Sequence, residues 1–283
     1  MLSCRVFFGL RPAQAMPWDG IHCVCTLIAL HRCTPAAPLV VAANRDEQYG
    51  RPAEKPALRG GRRLPVVAPR DTRAGGTWIG VNSLGLLAAV TNRPTRNRDD
   101  ARRSRGLLVL DALEHPGARA AAEALASLER DAYNPFNLFV ADGSEAYAVV
   151  YEGAARVTGL APGVHVICNA DPDARDHPKV GRLLESAEAA AELPPERLLS
   201  ALADVCRSHA GGGTPLEDAC IHANGYGTRS STLLQLGGPG TAACWFADGP
   251  PCRTPYEDFT PLLHELQRGV GLGLEDCNAR VTA

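Results

Sequence analysis

The chain has 283 residues, 45% of them hydrophobic, and a formal net charge of −2. That length and apolar content supply one large core or two small ones, and exclude a disordered chain or a disulfide-stapled mini-domain. Near-neutral charge provides no general field for nucleic acid, and no stretch approaches the roughly 18 consecutive apolar residues of a membrane span.

Residues 1–24 hold Arg5, the short apolar run Val6 to Leu10 and Ala13-Gln-Ala15, a faint leader pattern broken by Arg11-Pro12. The fold is expected to start at Cys25. Residues 1–24 then read as a wrongly assigned start, with Val24 as the initiating residue, or as a cleaved leader. Residues 25–268 read as a single domain and 269–283 as a tail.

Cys25 to His31 and Pro38 to Glu47 read as two apolar strands joined by a turn at Arg32 to Ala37. Asn44, Arg45, Asp46 and Glu47 crowd the exit of the second strand. Ionised groups are costly to bury unpaired, so this cluster marks a site rather than packing. Cys25 by itself reads as a small core hydrophobe. As the first residue of a mature chain it would instead combine a thiol with an α-amine whose pKa of about 7.7–8.0 suits it to take the thiol proton.

Arg51 to Gly61 reads as an irregular loop, followed by an extended piece at Pro65 to Ala68. Gly75-Gly76 before Trp78 permits a tight turn or a close backbone approach. Thr77 to Val81 and Leu86 to Thr91 form a hairpin about Asn82 to Gly85, delivering Asn92 at a strand end. Arg93, Arg96, Arg98, Arg102, Arg103 and Arg105 form a basic run, read as a solvated loop, with a contact for an anionic substrate group as the sharper alternative.

Helical spacing covers Gly106 to Glu114 and Ala118 to Asp131. Asn137 to Ala141 and Ala146 to Glu152 form a hairpin, preceded by Asn134-Pro-Phe-Asn137, which reads as turn chemistry. A strand from Gly163 delivers Asn169, and His177 sits in the polar loop beyond it. Helices follow at Lys179 to Ala190 and Pro195 to His209, then strands at Gly227 to Leu236 and Thr241 to Asp248. Tyr256 to Arg268 reads as a terminal helix or a covering loop. Hairpins outnumber crossovers, so the fold class is α+β with largely antiparallel sheets and helices outside.

The ten cysteines are scattered, which reads as reduced thiols in a cytoplasmic protein. Cys206, His209, Cys220 and His222 can be drawn as a zinc set, but their spacing is not a common one, and the expectation is no metal. Gly-x-Ser-x-Gly, His-Glu-x-x-His, phosphate-loop and dinucleotide signatures are missing.

Six ordered motifs carry a resemblance: Cys25-Thr-Leu-Ile, Ala43-Asn-Arg-Asp-Glu47, Ala74 to Val81, Thr91-Asn92, Asn134 to Leu138 and Gly227 to Thr232. Together they resemble the NRDE family, which includes the eukaryotic transport and Golgi organisation 2 proteins. A more distant similarity is to N-terminal-nucleophile hydrolases of the choloylglycine and penicillin V acylase type. It rests on Cys25, the Asn44 to Asp46 cluster, Asn92, Asn169 and Arg229. This chain departs from those enzymes at Ala43, where they carry an arginine; here Arg45 follows Asn44 instead.

The similarity implies a four-layer αββα sandwich. It also implies that Cys25 attacks an amide or thioester carbonyl while its α-amine moves the proton and Asp46 orients that amine or thiol. Asn92 and Asn169 would donate to the oxyanion. Arg229 and Arg45 would contact an anionic substrate or hold Asp46, and Asn44, Glu47 and Trp78 would complete the binding wall. The alternative that the eukaryotic relatives imply is a carrier of haem or an acyl-coenzyme A without turnover. Under either reading the partner is a small molecule and no resident cofactor is expected; haem enters only as a ligand. The oligomeric state is left open.

Overall fold

The computed structural model describes residues 25–210, 214–238 and 240–268. The readings made for residues 1–24 and for the tail beyond 268 lie outside the described residues.

The chain opens with β1 (Thr26–Thr34) and β2 (Ala37–Gln48), then β3 (Ala53–Arg59), β4 (Val66–Asp71), β5 (Ile79–Asn82) and β6 (Leu87–Asn92). Helices α1 (Arg105–Ala112) and α2 (Ala118–Ala126) precede β7 (Phe136–Ala141), β8 (Ala146–Tyr151), β9 (Ala155–Leu160) and β10 (Gly163–Ile167). Helices α3 (Pro178–Ala191) and α4 (Pro195–Arg207) lead into β11 (His222–Ala223), β12 (Tyr226–Leu236), β13 (Ala243–Ala247) and β14 (Glu257–Asp258). Residues 260–268 are helical.

The strands form two sheets whose pairings are all antiparallel. One runs β10-β1-β2-β12-β13-β14, with β11 on β12; the other runs β3 to β9 in chain order. Side-chain alternation builds the layers. On β2, Leu39, Val41 and Ala43 meet Ile79, Leu87 and Phe139 of the second sheet, whereas Val40 and Ala42 meet Val180 and Leu184 of α3 and Leu202 of α4. A third core joins the outer face of the second sheet to α1 and α2 through Leu108, Leu125, Phe136 and Tyr151. The result is an αββα sandwich, with β1 and β2 buried on both faces.

Three readings are corrected. The stretch read as a loop at Arg51 to Gly61 contains β3, an edge strand on which Pro56 falls between Glu54 and Ala57, where the register shifts. An edge tolerates proline because the lost donor faces away from the ladder. Strand β9 has no counterpart in the sequence reading, and an edge pattern with no buried residue explains why. Helix α2 stops at Ala126 rather than running to Asp131, which takes a left-handed φ of 56° outside the helix.

Candidate active site

The β1–β2 register sets Thr26 opposite Asn44, which puts Cys25 beside the exit of β2. Alternation then sorts the polar tetrad onto two faces. Arg45 and Glu47 share the parity of Ala43 and face the space between the sheets, whereas Asn44 and Asp46 share the parity of Ala42 and face the helices.

On the inter-sheet face, Cys25, Arg45, Glu47, Asp71, Trp78 and Asn92 line a cleft of about 210 Å³. The Arg45 guanidinium lies 4.4 Å over the Trp78 ring, 3.8 Å from Glu47 and 4.0 Å from Asp71. Arg51 grips Asp71 with two bonds of 2.8 and 2.7 Å. Burial lowers the Arg45 pKa, and the neighbouring Glu47, Cys25 and Asp71 oppose that shift. Gly76 is required here: a Cβ on it would stand 2.2 Å from the Gly106 carbonyl carbon, so the segment that carries Trp78 into β5 presses directly on the start of α1.

The basic run is no simple solvated loop. Arg98, Arg102, Arg103 and Arg105 reach the same cleft, held by Asp100, Tyr133 O, Asp111 and Pro135 O respectively. Asn134 clamps the run through both amide atoms, accepting from Asp99 N at 2.9 Å and donating to Asp99 O at 2.7 Å. Asn137 reaches across to Cys168 O and Ala170 O at 2.9 and 2.7 Å, bracketing Asn169. The Asn-Pro-Phe-Asn motif therefore works through long-range brackets rather than local turn capping.

On the helix face, Thr228 Oγ1 donates to Asp46 Oδ1 at 2.5 Å while accepting from Ile221 N at 2.9 Å. Asp46 Oδ2 and Lys179 Nζ are buried with no hydrogen-bond partner among the described residues. Burial pushes the Asp46 pKa up to about 7, against the opposing pull of Lys179, Thr228 and Arg45. The Cys25 sulfur donates to the main-chain carbonyl of Asp46 at 3.7 Å.

The predicted residues do not all converge. Cys25, Arg45, Glu47, Trp78 and Asn92 share the cleft with part of Asp46. Asn44 is a brace: its amide donates to Cys206 O at 2.9 Å and Ala219 O at 2.8 Å. Asn169 and Arg229 lie outside the cleft wall; Asn169 Oδ1 and Arg229 Nε are buried and without a hydrogen-bond partner among the described residues. Arg229 sits where the pairing of β12 with β2 slips between Thr228 and Ser230.

Sequence reading missed Lys179. The signal was present, because Lys179, Leu183 and Ala187 share one stripe of α3 at helical spacing, and all three are buried. The zinc drawing also needs correction. Cys206 lies in the core with Leu199, Leu202 and Ala203, while His209, Cys220 and His222 gather around Cys252.

Residues 23–244 match the family described as Transport and Golgi organisation 2. The chain belongs to that family. The human Transport and Golgi organization protein 2 homolog is 30% identical over 229 residues, covering 71% of this chain and 83% of the relative. The Bos taurus homolog is 31% identical over 234 residues, with the same coverage. Among solved structures, a Caenorhabditis elegans N-acylethanolamine-hydrolyzing acid amidase ortholog superposes with a TM-score of 0.51 at 14% identity, covering 77% of this chain and 94% of the amidase. A conjugated bile acid hydrolase from Clostridium perfringens gives a TM-score of 0.52 at 11% identity, covering 83% and 92%. These likenesses establish the N-terminal-nucleophile hydrolase fold for this family member. Among the described residues, no helix is long and apolar enough to cross a membrane.

Proposed function

We propose that this Transport and Golgi organisation 2 family member is a hydrolase that opens an amide or thioester bond through Cys25. The observation that carries the reading is the exit of β2, which sets a thiol and a guanidinium on one cleft wall above a buried carboxyl whose pKa lies near 7. Both structural neighbours are named for hydrolysing acyl conjugates, which supports the bond class.

With Cys25 at a mature amino terminus, its α-amine takes the thiol proton and the sulfur bonds to the substrate carbonyl carbon. Asn92 and Arg45 offer donors toward the developing oxyanion, and Asp46 positions the amine from below. Collapse breaks the bond to nitrogen or sulfur, the leaving group departs with the proton, and water then hydrolyses the acyl-thioester to free acid and thiol. The cleft volume of about 210 Å³ falls below the roughly 300 Å³ at which drug-sized pockets begin. It suits a short acyl group or the head of a longer one.

The test begins with the amino terminus, read by intact mass and terminal peptide sequencing. Protein beginning at Cys25 is then screened on N-acyl amides and acyl thioesters. Turnover is expected to fall at least about 10³-fold in Cys25→Ala. Undiminished turnover in that variant would reject the nucleophile.

A second reading rests on an adjoining cleft of about 650 Å³, lined by Leu58, Val66, Leu107 and Leu110 and by Arg59, Arg62, Arg70 and Arg103, with Asp111 paired to Arg62 and Arg103. Apolar side chains with four arginines against two carboxylates suit carriage of a carboxylated ligand such as haem or an acyl-coenzyme A. A saturable Soret shift on haem titration, lost in Arg62→Glu, would favour carriage; no shift, with amine release from the amide panel, would favour the enzyme.

A further inference from the structure

Far along the chain from the cleft residues, four side chains of metal-binding type converge. His209 follows α4, Cys220 and His222 flank Ile221 at the start of β11, and Cys252 lies in the turn after β13. One ligand atom from each falls within 4.8 Å of all the others. The Cys220 and Cys252 sulfurs are 3.6 Å apart, and His222 Nε2 is 3.7 Å from the first and 3.1 Å from the second.

The three edges among Cys220, Cys252 and His222 approach those of a tetrahedron, the His222–Cys252 edge being the shortest, and His209 supplies the fourth corner within 4.8 Å. Bonds of about 2.3 Å to sulfur and about 2.0–2.1 Å to nitrogen place tetrahedral ligands about 3.8 Å apart for S···S and about 3.6 Å for S···N. Two thiolates and two imidazoles in that arrangement select Zn(II), whereas hard ions prefer oxygen ligands.

The surroundings hold the ligands in place. Asp218 Oδ2 lies 3.6 Å from His209 Nδ1, which places a carboxylate beside that imidazole, the kind of neighbour that ligating histidines use. The Cys252 turn is fixed by Arg253 N to Pro250 O at 3.0 Å and by Arg207 Nε to Pro251 O at 3.3 Å. Gly227, opposite His222 on β12, has no room for a side chain: a Cβ there would meet Ile221 O at 2.4 Å. That close approach sets the angle at which β11 presents His222.

We propose that His209, Cys220, His222 and Cys252 form a structural Zn(II) site. Binding ionises the two thiols, releases their protons to solvent, and forms two Zn–S and two Zn–N bonds with no change of oxidation state. The ion would clasp the end of α4 and the turn after β13 to the β11–β12 hairpin. That hairpin carries Thr228, the donor to Asp46, so the clasp would steady the floor of the cleft.

The test uses untagged, reduced full-length protein. Elemental analysis after exchange into metal-free buffer is expected to find one equivalent of zinc per chain. Co(II) added to the chelator-stripped protein should give the visible bands of a tetrahedral S₂N₂ centre and a thiolate charge-transfer band. The exposed ligand allows a variant that spares the core, and His209→Asn should bind metal more weakly while keeping its fold by circular dichroism. Cys252→Ser should lose part of the charge-transfer intensity, and Cys33→Ser none. Folded wild-type protein without zinc or cobalt bands would overturn the proposal. So would unchanged metal affinity in both ligand variants, or peptide mapping that finds Cys220 and Cys252 joined as a disulfide.

Discussion

The last four residues of β2's polar exit meet two environments on opposite faces, and the faces handle charge differently. Toward the cleft, Arg45, Glu47, Arg51 and Asp71 form a network in which each charge has an opposite one within 4.0 Å. Toward the helices, Asn44 is fully used as a donor, while Asp46 keeps one oxygen unpartnered near an equally unpartnered Lys179. The two-residue period of a strand does this sorting by itself. Paired charges at the edge of water are nearly neutral in energy, but buried ones must find full compensation or shift their titration. The helix face therefore holds the chemistry that the cleft face can use: a carboxyl at pKa about 7.

That contrast is sharpened most by Asp46→Asn. The folded-state pKa is raised from 3.8 to about 7. Between those values the native state holds a proton that the unfolded state has released, so stability falls as pH rises through the window. Asparagine keeps the acceptor for Thr228 and removes the ionisation. Denaturant unfolding should find the variant equal to wild type near pH 4 and more stable near pH 8, by up to about 4 kcal/mol. Any turnover should drop in the same variant, a stability–activity trade-off. A variant less stable than wild type near pH 8 would show that Lys179 compensates the carboxylate fully.

Asn44→Ala breaks the same face without touching a charge. It strands the carbonyls of Cys206 and Ala219, both now served by one amide. A buried acceptor left without a partner costs roughly 1–3 kcal/mol, so the loss should be clear in urea unfolding and independent of pH between about 4 and 8. A pH-dependent loss would mean that Asn44 acts through Asp46 and is more than a brace.

These differences trace how far the sequence could be read. The hairpins β1–β2, β5–β6, β7–β8 and β12–β13 were legible because buried strands leave near-continuous apolar runs punctuated by turn residues. Strands β3 and β9 were not, since edge strands carry exposed side chains and, in β3, a proline. Polar crowding at Asn44 to Glu47 marked the site, but the split between brace, network and buried carboxyl depends on which face each residue takes. Lys179 and Cys252 were missed for a different reason. Each belongs to its site through contacts far away in the chain, and only Lys179 left a trace, as a charge on an apolar helical stripe.

The smallest effect belongs to the cleft face. Arg51→Gln removes both bonds to Asp71, yet that carboxylate still accepts from Arg73 N at 3.0 Å and lies 4.0 Å from Arg45. No charge is left stranded, and the site borders water. The cost should stay below about 1 kcal/mol and shrink further as salt is added. If it instead exceeds about 2 kcal/mol and ignores salt, the network is as dry as the Asp46 side. Arg45 would then depend on Arg51 for its position over Trp78, and the two faces of β2 would differ in pairing alone rather than in access to solvent.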